Sequence, residues 1–217
     1  MRLVPLAGCD VLDIGAGDGA NAARIAEAGA TVTGLEIDAE RVAHARAEQR
    51  GKIAMVEGRA EALPVSDGAF DLVTFFFSLH HVPPVVHRAA FAEIARVLRP
   101  GGQVFVADPL PEGSMFELVR LLDDETEVRR AAQASLAEIA RSHGPFELVA
   151  REAYSTERHI PDLQRFIDRL LRVDPSRAAR LPEAEGALAD RYAAAPRDES
   201  GAAHFTQPCV ACLFRRV

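Results

Sequence analysis

The sequence predicts an α/β fold in which a doubly wound, mostly parallel sheet is wrapped by helices. Three observations carry that expectation. Short apolar segments of strand length alternate with segments of helical composition through the first half of the chain, the order that builds parallel sheets through helical crossovers. The first of them, Asp10 to Ala20, reads Asp-Val-Leu-Asp-Ile-Gly-Ala-Gly-Asp-Gly-Ala and runs straight into three alternating glycines. The fourth, Phe70 to Phe77, is apolar almost throughout apart from Asp71 and Thr74, as befits a central strand covered on both faces.

Taken in order, Val11, Leu12 and Ile14 make a short buried strand, and Gly15, Gly17 and Gly19 let the backbone turn sharply at its carboxyl end. Ala20 to Ala28 follows with helical composition. A strand, a glycine-rich turn and a helix N-terminus form a nucleotide-sized cradle, because missing side chains permit close approach and free N–H groups face the ligand. Gly15, Gly17 and Ala20 also satisfy the G-x-G-x-x-G/A dinucleotide fingerprint, so the turn alone leaves a nicotinamide cofactor open. Thr31 to Leu35 alternates as a second strand and ends in Glu36-Ile37-Asp38. The ligand crevice of an open parallel sheet lies outside the carboxyl ends of its strands. Glu36 therefore belongs beside the glycine turn, where a carboxylate accepts from both hydroxyls of a ribose, and Asp38 caps the helix Ala39 to Gln49.

Ile53 to Val56 is a third strand, and Ser66-Asp67-Gly68 is a turn before the fourth. Pro83 and Pro84 end any regular element after Phe77, which leaves His80 and His81 on a loop at the carboxyl edge. Arg88 to Leu98 is an amphipathic helix with Phe91, Ile94, Ala95 and Leu98 on one stripe. It stops at Arg99-Pro100-Gly101-Gly102, and Val104 to Ala107 is a fifth strand. Met115 to Ser142 reads as one charged helix with Phe116, Val119 and Leu122 on its apolar stripe. Phe146 to Ile160 and His204 to Val217 are sixth and seventh strands, with helices over Pro161 to Val173 and Ser176 to Ala195 inserted between them. Phe75, Phe76 and Phe77 read as core, and Arg129-Arg130 and the Arg177, Arg180 spacing as solvated helix faces.

The 217 residues suit one domain with an elaboration. A hydrophobic content of 48% and a charged content of 26% are ordinary globular values. The apolar runs fall short of a bilayer span, and Met1 to Gly8 holds no secretory h-region, so cytoplasmic residence without a membrane partner is expected. A net charge of −7 argues against a nucleic-acid partner, which needs a concentrated basic surface, and points to small molecules. The oligomeric state stays open. Cys9, Cys209 and Cys212 make an odd set without a disulfide framework. Cys209 and Cys212 lie in a β-like run, where a spacing of three puts side chains on opposite faces, and are expected as small buried residues. No carboxylate and histidine set shows ligand spacing, so no metal is expected.

Five segments resemble, in order and spacing, the class I S-adenosylmethionine-dependent methyltransferases, with most similarity to the ubiquinone and menaquinone branch. They are Asp-Ile-Gly-Ala-Gly-Asp-Gly at 13–19, Gly-Leu-Glu-Ile-Asp at 34–38, Gly-Arg-Ala-Glu-Ala-Leu-Pro at 58–64, Phe-Asp-Leu-Val at 70–73 and Leu-Arg-Pro-Gly-Gly at 98–102. The last and the third have no counterpart in a nicotinamide fingerprint. The resemblance implies a Rossmann-like seven-stranded sheet with an antiparallel edge strand and a helical insertion, and S-adenosylmethionine as cofactor. It implies that Asp13, Gly15, Ala16 and Gly17 hold the methionine end of the cofactor. Glu36 then takes the ribose hydroxyls, Ile37 packs on the adenine, the backbone of Ala60 meets the adenine edge and Phe77 reaches the cofactor after the fourth strand. Where the family has an Asp to accept from the adenine amino group, this chain has Arg59, which accepts nothing; either Glu61 substitutes or the amino group is left to water.

Because the chain begins almost at the first strand, cover over the cofactor is expected from 109–143 and 161–203, helical elements of a single domain over 1–217. Methyl transfer from a sulfonium is an in-line displacement that needs alignment, exclusion of water and, for a hydroxyl acceptor, a base. His80 and His81 are the candidates by position, and His159 and His204 are further histidines that could face the pocket. The resulting expectation is methyl transfer to a small-molecule acceptor. A nicotinamide-dependent oxidoreductase and a non-enzymatic S-adenosylmethionine-binding or interaction module are the alternatives.

Overall fold

The computed structural model describes residues 5–217; residues 1–4, part of the Met1 to Gly8 stretch considered above, lie outside the described residues. Chain order is β1 (Asp10–Ile14), α1 (Ala20–Glu27), β2 (Thr31–Glu36), α2 (Ala39–Gln49), β3 (Ala54–Glu57), β4 (Phe70–Phe76), α3 (His87–Val97), β5 (Leu98–Pro109), α4 (Ser114–Val119), α5 (Thr126–Arg141), β6 (Phe146–Ile160), α6 (Leu163–Val173), α7 (Leu181–Ala194) and β7 (Ala203–Arg216). The strands form one sheet in the order β3-β2-β1-β4-β5-β7-β6. The five strands from β1 to β5 pair in parallel, and β7 lies between β5 and the edge strand β6 on the antiparallel side of the sheet.

The strand order reverses between β1 and β4, and a doubly wound sheet opens its ligand crevice at such a switch point. In-register pairing there sets Asp13 beside Gly34 on one side and Thr74 on the other. β1 is held in place by burial: Val11 and Leu12 are fully buried, and Val11 packs with Ile25, Val32, Val42, Met55 and Leu72 into one core cluster. On the far side of the sheet Phe91 of α3 meets the rings of Phe75, Phe146 and Phe214 at centroid distances of 6.4, 6.0 and 6.5 Å.

Several elements depart from the sequence expectations, each for a physical reason. β5 begins at Leu98, so the Arg-Pro-Gly-Gly stretch lies within a strand instead of a turn. Phe70 pairs with Leu98 and Leu72 already with Gln103, and the extra residues are taken up as a bulge in which Gly101 has a φ of 77°. Met115 to Ser142 is two helices, α4 and α5: α4 stops at Val119, and Asp124 fixes the entry to α5, its carboxylate accepting from the Thr126 amide and hydroxyl. Arg129 and Arg177 are buried, not solvated. Arg129 donates to Glu125 Oε2 at 2.6 and 3.0 Å, to Leu110 O and to Gln207 Oε1, while Arg177 donates twice to Asp123. Arg130 and Arg180 are the exposed members of those pairs. The second inserted helix starts at Leu181, behind a short 3₁₀ turn over Pro175–Ala179.

The chain clusters into two compact units. The first runs up to Asp108 and adds Ala131–Glu152 and Val210–Val217; the second comprises Pro109–Arg130 and Ala153–Cys209. The second has its own core of Leu118, Leu122, Ile160, Ile167, Leu188 and Phe205. Cys209 and Cys212 are buried free thiols, pushed up in pKa by that burial. No helix among the described residues is long and apolar enough to cross a membrane. Truncating the aromatic hub, Phe91→Ala, is expected to cost about 3–5 kcal/mol in urea denaturation, whereas Val85→Ala, at a side chain 91% exposed, changes stability by less than about 0.5 kcal/mol.

Candidate cofactor site

The glycine turn after β1 is clamped from two sides. The amides of Gly15 and Ala16 both donate to Leu35 O, at 2.8 and 2.9 Å, which ties the turn to the end of β2. Ser78, just past β4, donates its hydroxyl to Ile14 O at 2.6 Å. A Cβ on Gly15, whose φ is 74°, would lie 2.6 Å from the Ser78 Cβ, so both the conformation and the approach require glycine. Gly17, with a φ of 58°, has open space where its Cβ would stand. That space is what a ligand needs in order to reach the backbone.

Glu36 ends β2 as a buried carboxylate, 6% exposed. Its Oε2 accepts from Gly17 N at 3.0 Å and its Oε1 from Ile37 N at 2.9 Å and Asp38 N at 3.3 Å. Three backbone amides thus fix both oxygens, and Oε2, with a single donor, retains lone-pair capacity for a hydroxyl. Next to it Ile37 is 56% exposed, an apolar platform at the crevice edge. Asp38 turns away to cap α2, accepting from Glu40 N and Arg41 N.

Asp13 is 2% exposed and accepts from the Thr74 hydroxyl at 2.7 Å across the β1–β4 ladder. Burial pushes its carboxyl up to about 7, only partly offset by the Thr74 hydrogen bond. Thr74 and Ser78 were not among the sequence-derived candidates. Only the parallel register, which matches Asp13 with Thr74, could have pointed to the first of them.

Ala60 is buried, and the Ala62 amide donates to Arg59 O to close the turn that carries it. Arg59 Nη1 lies 3.7 Å from Glu61 Oε1, so the arginine that replaces an acceptor is itself paired with the neighbouring acid. This loop is fastened from α3. Arg96 donates to Leu63 O, Val65 O and Asp67 Oδ1, and Glu93, which pairs with Arg96, accepts from Leu63 N at 2.9 Å. β4 ends at Phe76, one residue before the end expected from sequence, and Phe77 leaves it with a φ of 55° and donates its amide to Ala107 O.

His80 and His81 occupy a single 3₁₀ turn, Leu79–His81. His80 is 4% exposed, and its Nδ1 is 2.9 Å from Oδ1 of Asp108, which is fully buried near the end of β5. A carboxylate only accepts, so Nδ1 is the donor in this bond. Asp108 Oδ2 is buried without a hydrogen-bond partner. His81 is exposed, its ring centroid 4.1 Å from that of His80. His87, which bonds Val82 O and Ser135 Oγ, pins the following turn. His159 and His204 belong to the second unit, on β6 and β7.

The structure places Asp13, Gly15, Ala16, Gly17, Glu36 and Ile37 around the β1 and β2 carboxyl ends, with Phe77, His80 and His81 following β4. An open glycine turn at the switch point of a doubly wound sheet, a buried carboxylate fixed by backbone amides, an exposed apolar side chain and a buried acid fit an adenosyl cofactor bearing positive charge. Residues 12–106 match the family described as methyltransferase domain. Among relatives, the demethylmenaquinone methyltransferase of Beutenbergia cavernae is 41% identical over 108 residues, 49% of this chain and 44% of that protein. The 27-O-demethylrifamycin SV methyltransferase of Amycolatopsis mediterranei is 40% identical over 124 residues, 51% of this chain and 44% of that protein. The chain thus spans less than half the length of these relatives. The YcgJ protein of Bacillus subtilis shares the fold at a TM-score of 0.63 and 22% identity, over 97% of this chain and 92% of that one.

The raised Asp13 carboxyl has a definite sign in stability. The unfolded chain ionises this group near 4 and the folded one at about 7, so its contribution favours the folded state below about pH 4 and is lost as pH rises to about 7. Urea midpoints of the cofactor-free protein between pH 5 and pH 8 are expected to show that decline, and Asp13→Asn to flatten it.

Proposed function

We propose that this protein transfers a methyl group from S-adenosylmethionine to a small-molecule acceptor. The single observation that carries the reading is Glu36, whose two oxygens are already oriented by the amides of Gly17, Ile37 and Asp38, inside a segment that matches a methyltransferase domain. When bound, S-adenosylmethionine supplies a methyl group activated by its sulfonium. The residues of the chain do the rest. Glu36 takes the ribose hydroxyls, Gly15, Ala16 and Gly17 give the methionine end a close approach to backbone, and Asp13 faces its ammonium as the ionised acid. Ile37 lies against the adenine, the Ala60 backbone meets its edge, Glu61 replaces the missing acceptor at position 59, and Phe77 closes the site behind β4.

For an acceptor that must lose a proton, His80 and His81 are the candidate bases, and Asp108, a positioning residue, accepts from Nδ1–H of His80 and compensates charge formed on that ring. His81, exposed and with its ring tilted against that of His80, is the neighbouring candidate. The names of the two curated relatives describe small molecules, demethylmenaquinone and 27-O-demethylrifamycin SV, the second methylated at oxygen, which supports a small-molecule acceptor here.

Calorimetric titration with S-adenosylmethionine and S-adenosylhomocysteine is expected to give saturable binding, with NADH inert and Glu36→Ala weakened roughly 100-fold or more, the loss of two charge-assisted hydrogen bonds. NADH binding, or equal affinity in Glu36→Ala, would overturn the reading. With an acceptor found by following S-adenosylhomocysteine release across small hydroxylated molecules, His80→Gln is expected to cut kcat by about 10²–10⁴ with cofactor affinity intact, and His81→Ala to act mainly on KM. Asp108→Asn is expected to move the pH dependence of kcat, which a purely structural role would leave in place.

A further inference from the structure

We infer that Glu157, His159 and His204 form a binding site for one divalent transition-metal ion of the zinc class in the second unit, independent of the methyltransferase reading. Glu157 and His159 are two apart on β6 and so share a face of the strand, and His204 stands on neighbouring β7. Their ligand atoms all lie within 4.8 Å of one another. His159 Nε2 and His204 Nε2 approach the same oxygen, Glu157 Oε2, at 4.0 and 3.8 Å. A tetrahedral ion with bonds of about 2.1 Å needs ligand separations of about 3.4 Å, a closure that exposed side chains make by small rotations. The Glu157 and His159 side chains are 66% and 48% exposed, which leaves a coordination position to water.

What lifts this group above a surface ion pair is the support behind it. His159 Nδ1 donates to Asp198 Oδ2 at 2.6 Å, which directs the Nε2 lone pair to Glu157. Asp198 is itself immobilised: its Oδ1 accepts from Ser200 N at 2.8 Å, Ser200 Oγ at 2.7 Å and Ala202 N at 3.0 Å. A carboxylate that orients the second nitrogen of a ligating imidazole is the usual outer shell of a metal-bound histidine. His204 is anchored by its amide on Pro196 O at 2.8 Å, so both histidines are fastened to the loop before β7. Two imidazoles and one carboxylate favour zinc, nickel or copper over magnesium or calcium, which prefer all-oxygen sets. The sequence expectation of no metal rested on spacing along the chain, and this set converges only when β6 pairs with β7.

Titration of the metal-free full chain with Co²⁺, read by its visible d–d absorption and by Zn²⁺ displacement, tests the site. Expected are one Co²⁺ per chain, displaced by Zn²⁺ and not by Mg²⁺, and affinity lowered at least 10-fold in each of His159→Ala, His204→Ala and Glu157→Gln. Asp198→Asn, which leaves all three ligands in place, is expected to lower it by about 10–100-fold. His143→Ala, an exposed histidine outside the cluster, should leave it unchanged. Binding that survives His159→Ala combined with His204→Ala, or Co²⁺ displaced equally well by Mg²⁺, would overturn the proposal. Circular dichroism of each variant separates loss of the site from loss of the fold.

Discussion

The arrangement of the first unit depends on one buried carboxylate. Glu36 gathers amides from the glycine turn after β1 and from the two residues that leave β2, so the ends of two adjacent strands are held by a single acceptor. Burying a negative charge is costly unless donors surround it, and backbone N–H groups are donors that cannot swing away. The same bonds that meet this cost leave the outward lone pairs in one orientation. Recognition is therefore a by-product of satisfying a buried group, and the turn holds its shape before any ligand arrives.

Most of this site was legible because its residues are adjacent in sequence. The Asp-Ile-Gly-Ala-Gly-Asp-Gly run and Glu36-Ile37-Asp38 each carry strand end, turn and helix cap within a few positions, and the alternation of elements places them on one edge of the sheet. What escaped sequence reading is contact across the fold. Thr74 matters because the parallel register sets it opposite Asp13. Asp108 matters because β5 ends where the 3₁₀ turn holding His80 begins its approach. Arg129 and Arg177 look like solvated helix charges until their partners, Glu125, Gln207 and Asp123, are brought in from other segments. Periodicity gives no sign of such partners, since a buried ion pair and an exposed one have the same residue types.

The division of the chain into two units also divides what its residues can be read for. The matched family segment lies wholly in the first unit, where geometry and family speak to the same cofactor. The second unit owes its cohesion to a small apolar core and to arginines drawn inside it, and it matches nothing in that segment. Folds of this class host many chemistries on one scaffold, and diversity in such a case resides in the part that the shared motifs leave uncovered.

Arg96 shows how far the determinants of a site can lie from it. Its guanidinium, on α3, grips the carbonyls of Leu63 and Val65 and the Asp67 carboxylate, and Glu93 beside it takes the Leu63 amide. The loop bearing Ala60 and Glu61 is thereby moored from α3. A lineage could retune nucleotide selectivity by drifting at position 93 or 96 without altering one residue of the binding motifs. Surveys that score only those motifs would record such proteins as unchanged.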